Sequence, residues 1–177
     1  MRDRNATLVL TGFMGAGKSS IGRLLAEQTG LPLRDTDELV RAESGREVAE
    51  FIARQGEEEF RALEAALVQK LENAPGIIAT GGGVVLNPES VRKLRGLGTV
   101  VYLAAAPDAL WERLRGGTGR PLLAKPDPRT TFTELLKMRE PLYRRLADVT
   151  VDTSTLTLEE AAAAVLRTWK PADGTQS

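Results

Sequence analysis

Residues Gly12-Phe-Met-Gly-Ala-Gly17-Lys18-Ser19 hold two glycines, a lysine and a hydroxyl at the spacing GxxxxGK[ST]. Glycines at these places let the backbone curl so that successive N–H groups converge on a phosphate. A helix opening at the lysine adds the positive end of its dipole. Lys18 is a compact cation for the outer phosphates, and Ser19 offers a hydroxyl to a divalent metal. The motif predicts a magnesium-bound nucleoside triphosphate.

Such a site needs a carboxylate near its metal, commonly after the third strand. Here the third apolar run ends in Thr80-Gly81, with no acid. Asp35-Thr36-Asp37, after the second run, supplies it instead. If the chain stays extended there, the two carboxylates point the same way and can divide labour between metal and substrate. Asp also suits the cap of a helix opening near Glu38. Gly81-Gly82-Gly83 costs conformational entropy and adds no packing. Either a close approach to the backbone or positive φ must require it, and a backbone wall for a small substrate meets the first condition. Arg61 and Glu64 share a helix face, the arrangement of a surface ion pair. Arg120 stands in the Gly/Pro-rich stretch Gly119-Arg-Pro-Leu-Leu123, Arg139 precedes Glu140-Pro-Leu-Tyr143 at an expected helix break, and Arg113 follows the fourth strand, where it could stack on a base.

The elements that must position these groups alternate. Strands are expected at 7–11, 31–35, 76–80, 99–103 and 149–152. Helices are expected at 19–29, 38–43, 47–55, 57–73, from Asn87-Pro88 to about Gly96, at 108–115 and 132–139, and from the capping box Thr157–Glu160 to Trp169. Pro141 should stop or kink the helix before it. Short apolar strands between helices predict a parallel sheet covered on both faces, with ligands at the strands' carboxyl ends. The motifs lie at those ends.

The chain has 177 residues, 42% of them hydrophobic, enough for one domain with a core. It contains no cysteine and no histidine, so thiolate and imidazole chemistry are excluded and any base must be a carboxylate, lysine or tyrosine. Twenty-four basic residues balance twenty-four acidic ones, which argues against a nucleic-acid or membrane-surface protein. Locally, Arg113 to Arg145 carries nine Lys/Arg against three Asp/Glu, the pattern either of a solvated basic face or of a site for anionic ligands. No apolar run approaches the roughly 20 residues of a membrane span, and no secretory signal opens the chain, so the cytoplasm is expected. A monomer is expected, with residues 170–177 as a flexible tail.

Taken in order, these motifs, with Gly56-Glu-Glu-Glu-Phe-Arg61-Ala-Leu-Glu64 and Ala147-Asp-Val-Thr-Val-Asp152, resemble the shikimate kinase family from about Leu8 to Leu166. The resemblance implies a P-loop NTPase of nucleoside-monophosphate-kinase-like fold: a five-stranded parallel sheet between helices, a substrate-binding subdomain near 38–61 and a lid near 116–128, all in one domain. It implies transfer of the ATP γ-phosphate to the 3-hydroxyl of shikimate, giving shikimate 3-phosphate and ADP on the way to chorismate and aromatic amino acids. Asp37, Lys18 and Arg120 would then be catalytic. Asp37 would hold the shikimate hydroxyls, Arg61 and Arg139 the carboxylate, and Gly81, Gly82 and Gly83 the backbone contact, with Glu64 steadying Arg61. ATP would be bound by Gly12, Met14, Gly15, Ala16, Gly17, Lys18, Ser19, Ser20, Arg113 and Arg120, and Mg²⁺ by Ser19 with Asp35. No motif marks the rest of a base pocket around Ser154–Leu158. The nearest alternative, a gluconate kinase, would share the P-loop but not need the Arg61/Arg139 pair with the triple glycine. A GTPase switch would need Asp-x-x-Gly and Asn-Lys-x-Asp motifs, and neither is present.

Overall fold

The computed structural model describes residues 6–116 and 125–169. Five short apolar runs pair as β1 (Thr7–Thr11), β2 (Leu33–Asp35), β3 (Gly76–Ala79), β4 (Thr99–Ala104) and β5 (Val149–Asp152). All neighbours are parallel, in the order β2-β3-β1-β4-β5. Every residue of β1 and β3 is buried. That is why these strands read as unbroken apolar runs rather than as alternating ones.

Each strand feeds a helix: α1 (Lys18–Thr29), α2 (Thr36–Ser44), α3 (Val48–Gln55), α4 (Glu57–Lys70), α5 (Pro88–Leu97), α6 (Pro107–Arg115), α7 (Pro128–Leu146) and α8 (Leu158–Thr168). Helices α1 and α8 pack on each other and on the sheet, while α4, α5 and α7 meet around a 3₁₀ turn at Val84–Leu86. The terminal signals act as expected. Asn87 accepts from the N–H groups of Glu89 and Ser90, both at 2.9 Å. Thr157 and Glu160 close a reciprocal capping box. Gly30 ends α1 with φ 71° and donates to the Ala26 carbonyl at 2.9 Å.

Two expectations fail, each for a tertiary reason. Of the two outcomes expected at Pro141, a stop and a kink, the stop does not occur: the 19-residue α7 runs through it. Phe132, Leu136, Arg139, Tyr143 and Leu146 are all buried at alternating spacings of four and three. Anchors on both sides of the proline outweigh the one hydrogen bond it removes. Arg139 therefore sits inside a helix and not at a break. The chain also does not stay extended after Asp35. Helix α2 begins at Thr36, two residues before the expected start, and Asp37 lies in its first turn.

The main core lies between sheet and helices. A second, smaller cluster joins Val40, Phe51, Phe60 and Leu67 of α2, α3 and α4. It places three helices beside the carboxyl ends of β2 and β3. No helix among the described residues is long and apolar enough to cross a membrane.

Candidate active site

The loop from β1 to α1 has the backbone that its glycines predict. Gly15 and Gly17 stand at φ 82° and 87°, where a side chain would be strained. Lys18 Nζ donates to the carbonyls of Gly12 and Phe13 at 2.8 and 2.9 Å, which holds the ammonium over the loop. Met14, Gly15, Gly17, Lys18, Ser19 and Ser20 line a cavity of about 320 Å³ that also reaches Asp37, Gly82 and Arg113. Ala16 is buried and lines the cavity next to it.

Ser19 Oγ donates to Asp35 Oδ2 at 2.5 Å. The other oxygen of Asp35 accepts from the Asp37 N–H at 2.9 Å and caps α2. The two alternatives for Asp35 are thus not exclusive: one carboxylate caps a helix and faces the phosphate loop. Because α2 starts so early, the Asp37 carboxylate is set on a helical turn. It lines both the phosphate-loop cavity and a second cavity of about 330 Å³.

That second cavity gathers Asp37, Arg61, Glu64, Gly81, Gly82, Gly83 and Arg139 from β2–α2, α4, the end of β3 and α7. Met14 lines it too, joining the phosphate loop to this wall. Arg139 is only 5% exposed, and its Nε, like that of Arg61, has no partner among the described residues. Two guanidinium groups facing one cavity, with buried donors to spare, are a complement for a carboxylate.

Arg61 donates to Glu64 at 2.7 Å and to Glu57 at 3.4 Å. The Arg61–Glu64 contact is not the surface pair its spacing suggested, since Glu64 is 3% exposed. Burial pushes the Glu64 carboxyl above the usual carboxylate range, and the charge and hydrogen bond of Arg61 work against that rise. Above about pH 4.5 the native chain therefore keeps a proton that the unfolded chain has released. Stability from this group is lost as pH rises through its native value. The stability of wild type relative to Glu64→Gln, followed by urea midpoints, should accordingly fall from pH 4.5 toward neutrality. A difference that does not change with pH would contradict this.

Gly81, Gly82 and Gly83 do not have positive φ. Close approach is what requires Gly81 and Gly83. A Cβ on Gly81 would meet Glu64 Oε1, and a Cβ on Gly83 would fall within the Arg61 guanidinium. Gly83→Ala is expected to leave the fold intact, because the obstructing atoms end a flexible side chain, but to displace Arg61. The acceptor's KM should rise at least about tenfold, the loss of one charge-assisted hydrogen bond, with the KM for ATP unchanged. An acceptor KM within twofold of wild type would refute it.

Arg113 donates to the Thr153 carbonyl and hydroxyl at 2.5 and 3.2 Å. It borders a cavity of about 270 Å³ lined by Ala16, Gly17, Leu156, Leu158 and Ala161. This is the segment in which no base-pocket motif was legible. Sequence reasoning did not pick out the apolar lining of the arginine cavity, Val48, Ile52 and Phe60, although the i, i+4 spacing of Val48 and Ile52 on α3 could have signalled it. It missed Thr36 as well, whose hydroxyl accepts from Gly81 N–H at 2.7 Å. Arg120 lies outside the described residues, as does most of the expected lid.

Residues 14–170 match the shikimate kinase family model. The chain belongs to the shikimate kinase family. A shikimate kinase of Caldanaerobacter subterraneus subsp. tengcongensis is 45% identical over 92% of this chain and 95% of that one. One from Symbiobacterium thermophilum is 43% identical over 90% and 93%. The solved structure of the Acinetobacter baumannii shikimate kinase in complex with shikimate superimposes with a TM-score of 0.86, at 32% identity, covering 92% of this chain and 91% of that one. As a shikimate kinase the chain is an ATP-dependent phosphotransferase of aromatic amino-acid biosynthesis. The gluconate-kinase and switch alternatives fall away.

Proposed function

We propose that this kinase receives MgATP on the Gly12–Ser20 loop and shikimate in the Asp37–Arg61–Arg139 cavity, and that the 3-hydroxyl of shikimate attacks the γ-phosphate where the two cavities meet. The single observation that carries the reading is the place of Asp37, which lines both cavities at once. The Asp37 carboxylate orients the hydroxyls and accepts the attacking hydroxyl's proton. Arg61, braced by Glu64, and Arg139 grip the carboxylate, and the Gly81–Gly83 backbone carries the ring's edge. Lys18 and Arg120 neutralise charge on the transferring phosphoryl group. Arg113 lies along the base. Phosphoryl transfer asks for positioning and charge stabilisation more than for covalent chemistry, which suits a site without histidine or cysteine.

The residues present fit Mg²⁺. Ser19 Oγ and Asp35 Oδ2 meet at the mouth of the loop. No cluster of three acidic, histidine or cysteine ligands exists among the described residues. Sparse oxygen donors suit an ion that keeps several waters and takes phosphate oxygens as ligands. When bound, Mg²⁺ neutralises charge on the triphosphate, and Ser19 and Asp35 hold it.

The separate small core of α2, α3 and α4 supports a substrate-binding subdomain near 38–61. The segment 116–128, between α6 and α7, acts as a lid, and the enzyme works as a monomer in the cytoplasm. The test is turnover with MgATP and either shikimate or gluconate, read as ADP release and product mass. Phosphorylation of shikimate alone is expected. Turnover with gluconate would overturn the arginine assignments.

A further inference from the structure

The wall of glycines is held from behind by one hydroxyl. Tyr143 is fully buried on α7, and its Oη donates to the Gly82 carbonyl. Its ring stacks on Tyr102 of β4, with centroids 5.3 Å apart and planes 22° apart. The Arg139 guanidinium, one turn earlier on the same helix, is buried beside the same hydroxyl. The hydroxyl's proton goes to Gly82, so a lone pair is what it offers on its other side.

Three further polar groups of the glycine run are taken as well. Gly81 N–H goes to Thr36 Oγ1 at 2.7 Å, the Gly81 carbonyl accepts from Val84 N–H at 3.3 Å, and the Gly83 carbonyl accepts from Leu86 N–H at 3.0 Å. No described residue accepts from Gly82 N–H or Gly83 N–H. In a trans peptide the C=O and N–H point in opposite directions. Fixing the Gly82 carbonyl on Tyr143 therefore fixes the direction of the Gly83 N–H. An open-turn backbone of three glycines has no side chain of its own to set that direction.

We propose that Tyr143 is a positioning residue for the acceptor: its hydroxyl locks the Gly82–Gly83 peptide and the Arg139 guanidinium into one arrangement before shikimate arrives. Tyr143 does not touch the substrate. It acts through two groups that do, and the inference rests on the assignment of Arg139 and Gly82 to shikimate above. Without the hydroxyl, the Gly82 carbonyl loses a buried partner and Arg139 loses the polar neighbour it is buried beside.

The test is a double-mutant cycle of Tyr143→Phe and Arg139→Leu, with kcat/KM for shikimate, KM for ATP and the urea midpoint measured for each protein. Phenylalanine keeps the ring and its stacking on Tyr102, so a fold defect is separable from a positioning defect. Tyr143→Phe is expected to lower kcat/KM for shikimate about tenfold, through KM, and to leave the KM for ATP within twofold. In the Arg139→Leu background the same change is expected to cost much less, because one of the two groups it positions is already gone. Wild-type kinetics for Tyr143→Phe, an equal rise in both KM values with a lowered urea midpoint, or an undiminished effect in the Arg139→Leu background would each overturn the proposal. If Arg139→Leu itself leaves kcat/KM for shikimate unchanged, the assignment of Arg139 fails first, and the proposal with it.

Discussion

Asp37→Asn is expected to lower kcat about 10²- to 10⁴-fold, the usual contribution of a positioned general base, with the KM for ATP nearly unchanged. The substitution preserves shape and removes only charge and basicity. The position leaves little room for a substitute. Asp37 is in the first turn of α2, where the helix dipole favours a negative charge, and its Oδ1 would be 3.0 Å from a Cβ on Gly81. It faces the glycine wall on one side and the phosphate loop on the other. The other carboxylates lining the acceptor cavity, Glu57 and Glu64, both pair with Arg61. With no histidine in the chain, no imidazole can take over. A loss of kcat below tenfold would remove Asp37 from proton transfer and leave it a binding role only.

Arg120→Ala is expected to cost about 10³ or more in kcat, by the scale of arginines that neutralise a transferring phosphoryl group. The argument uses the flanks of Arg120 in the chain. Helix α6 ends at Arg115 and α7 begins at Pro128. On the first flank Arg113 borders the nucleotide cavities, and on the second Lys125 lines the acceptor cavity. Residues 116–127 connect these two flanks and hold one arginine, Arg120, which on the reading proposed above serves both substrates. Arg120→Lys should recover part of the rate, since lysine restores the charge but not the two-pronged fork. Measured kcat values for the two variants decide the matter. A loss under tenfold for alanine would place Arg120 outside the transition state.

Much of this was legible before the fold was known, and the reason is locality. The phosphate loop, the Asn87 and Thr157 caps, the Gly30 stop and the five apolar runs each depend on a few neighbouring residues, and the structure places them where the sequence did. What the sequence concealed depended on distant burial. Pro141 reads as a helix breaker until Tyr143 and Leu146 are seen anchored in the core beyond it. Glu64 reads as half of a surface pair, yet α4 turns it inward against Gly81. The triple glycine could have meant positive φ or close contact, and only the approach of Arg61 and Glu64 decides for contact. The hydroxyl of Tyr143 left no trace at all in the local pattern, because its partner, Gly82, is 61 residues away.

The most direct test of the assigned cavity is a crystal structure of this chain with shikimate and MgADP. The shikimate carboxylate is expected between Arg61 and Arg139, its hydroxyls on Asp37 and its ring against Gly82. A carboxylate bound elsewhere, such as beside Arg23 and Arg41 in the cavity between α1 and α2, would contradict the site described here even if the enzyme turned over shikimate at full rate.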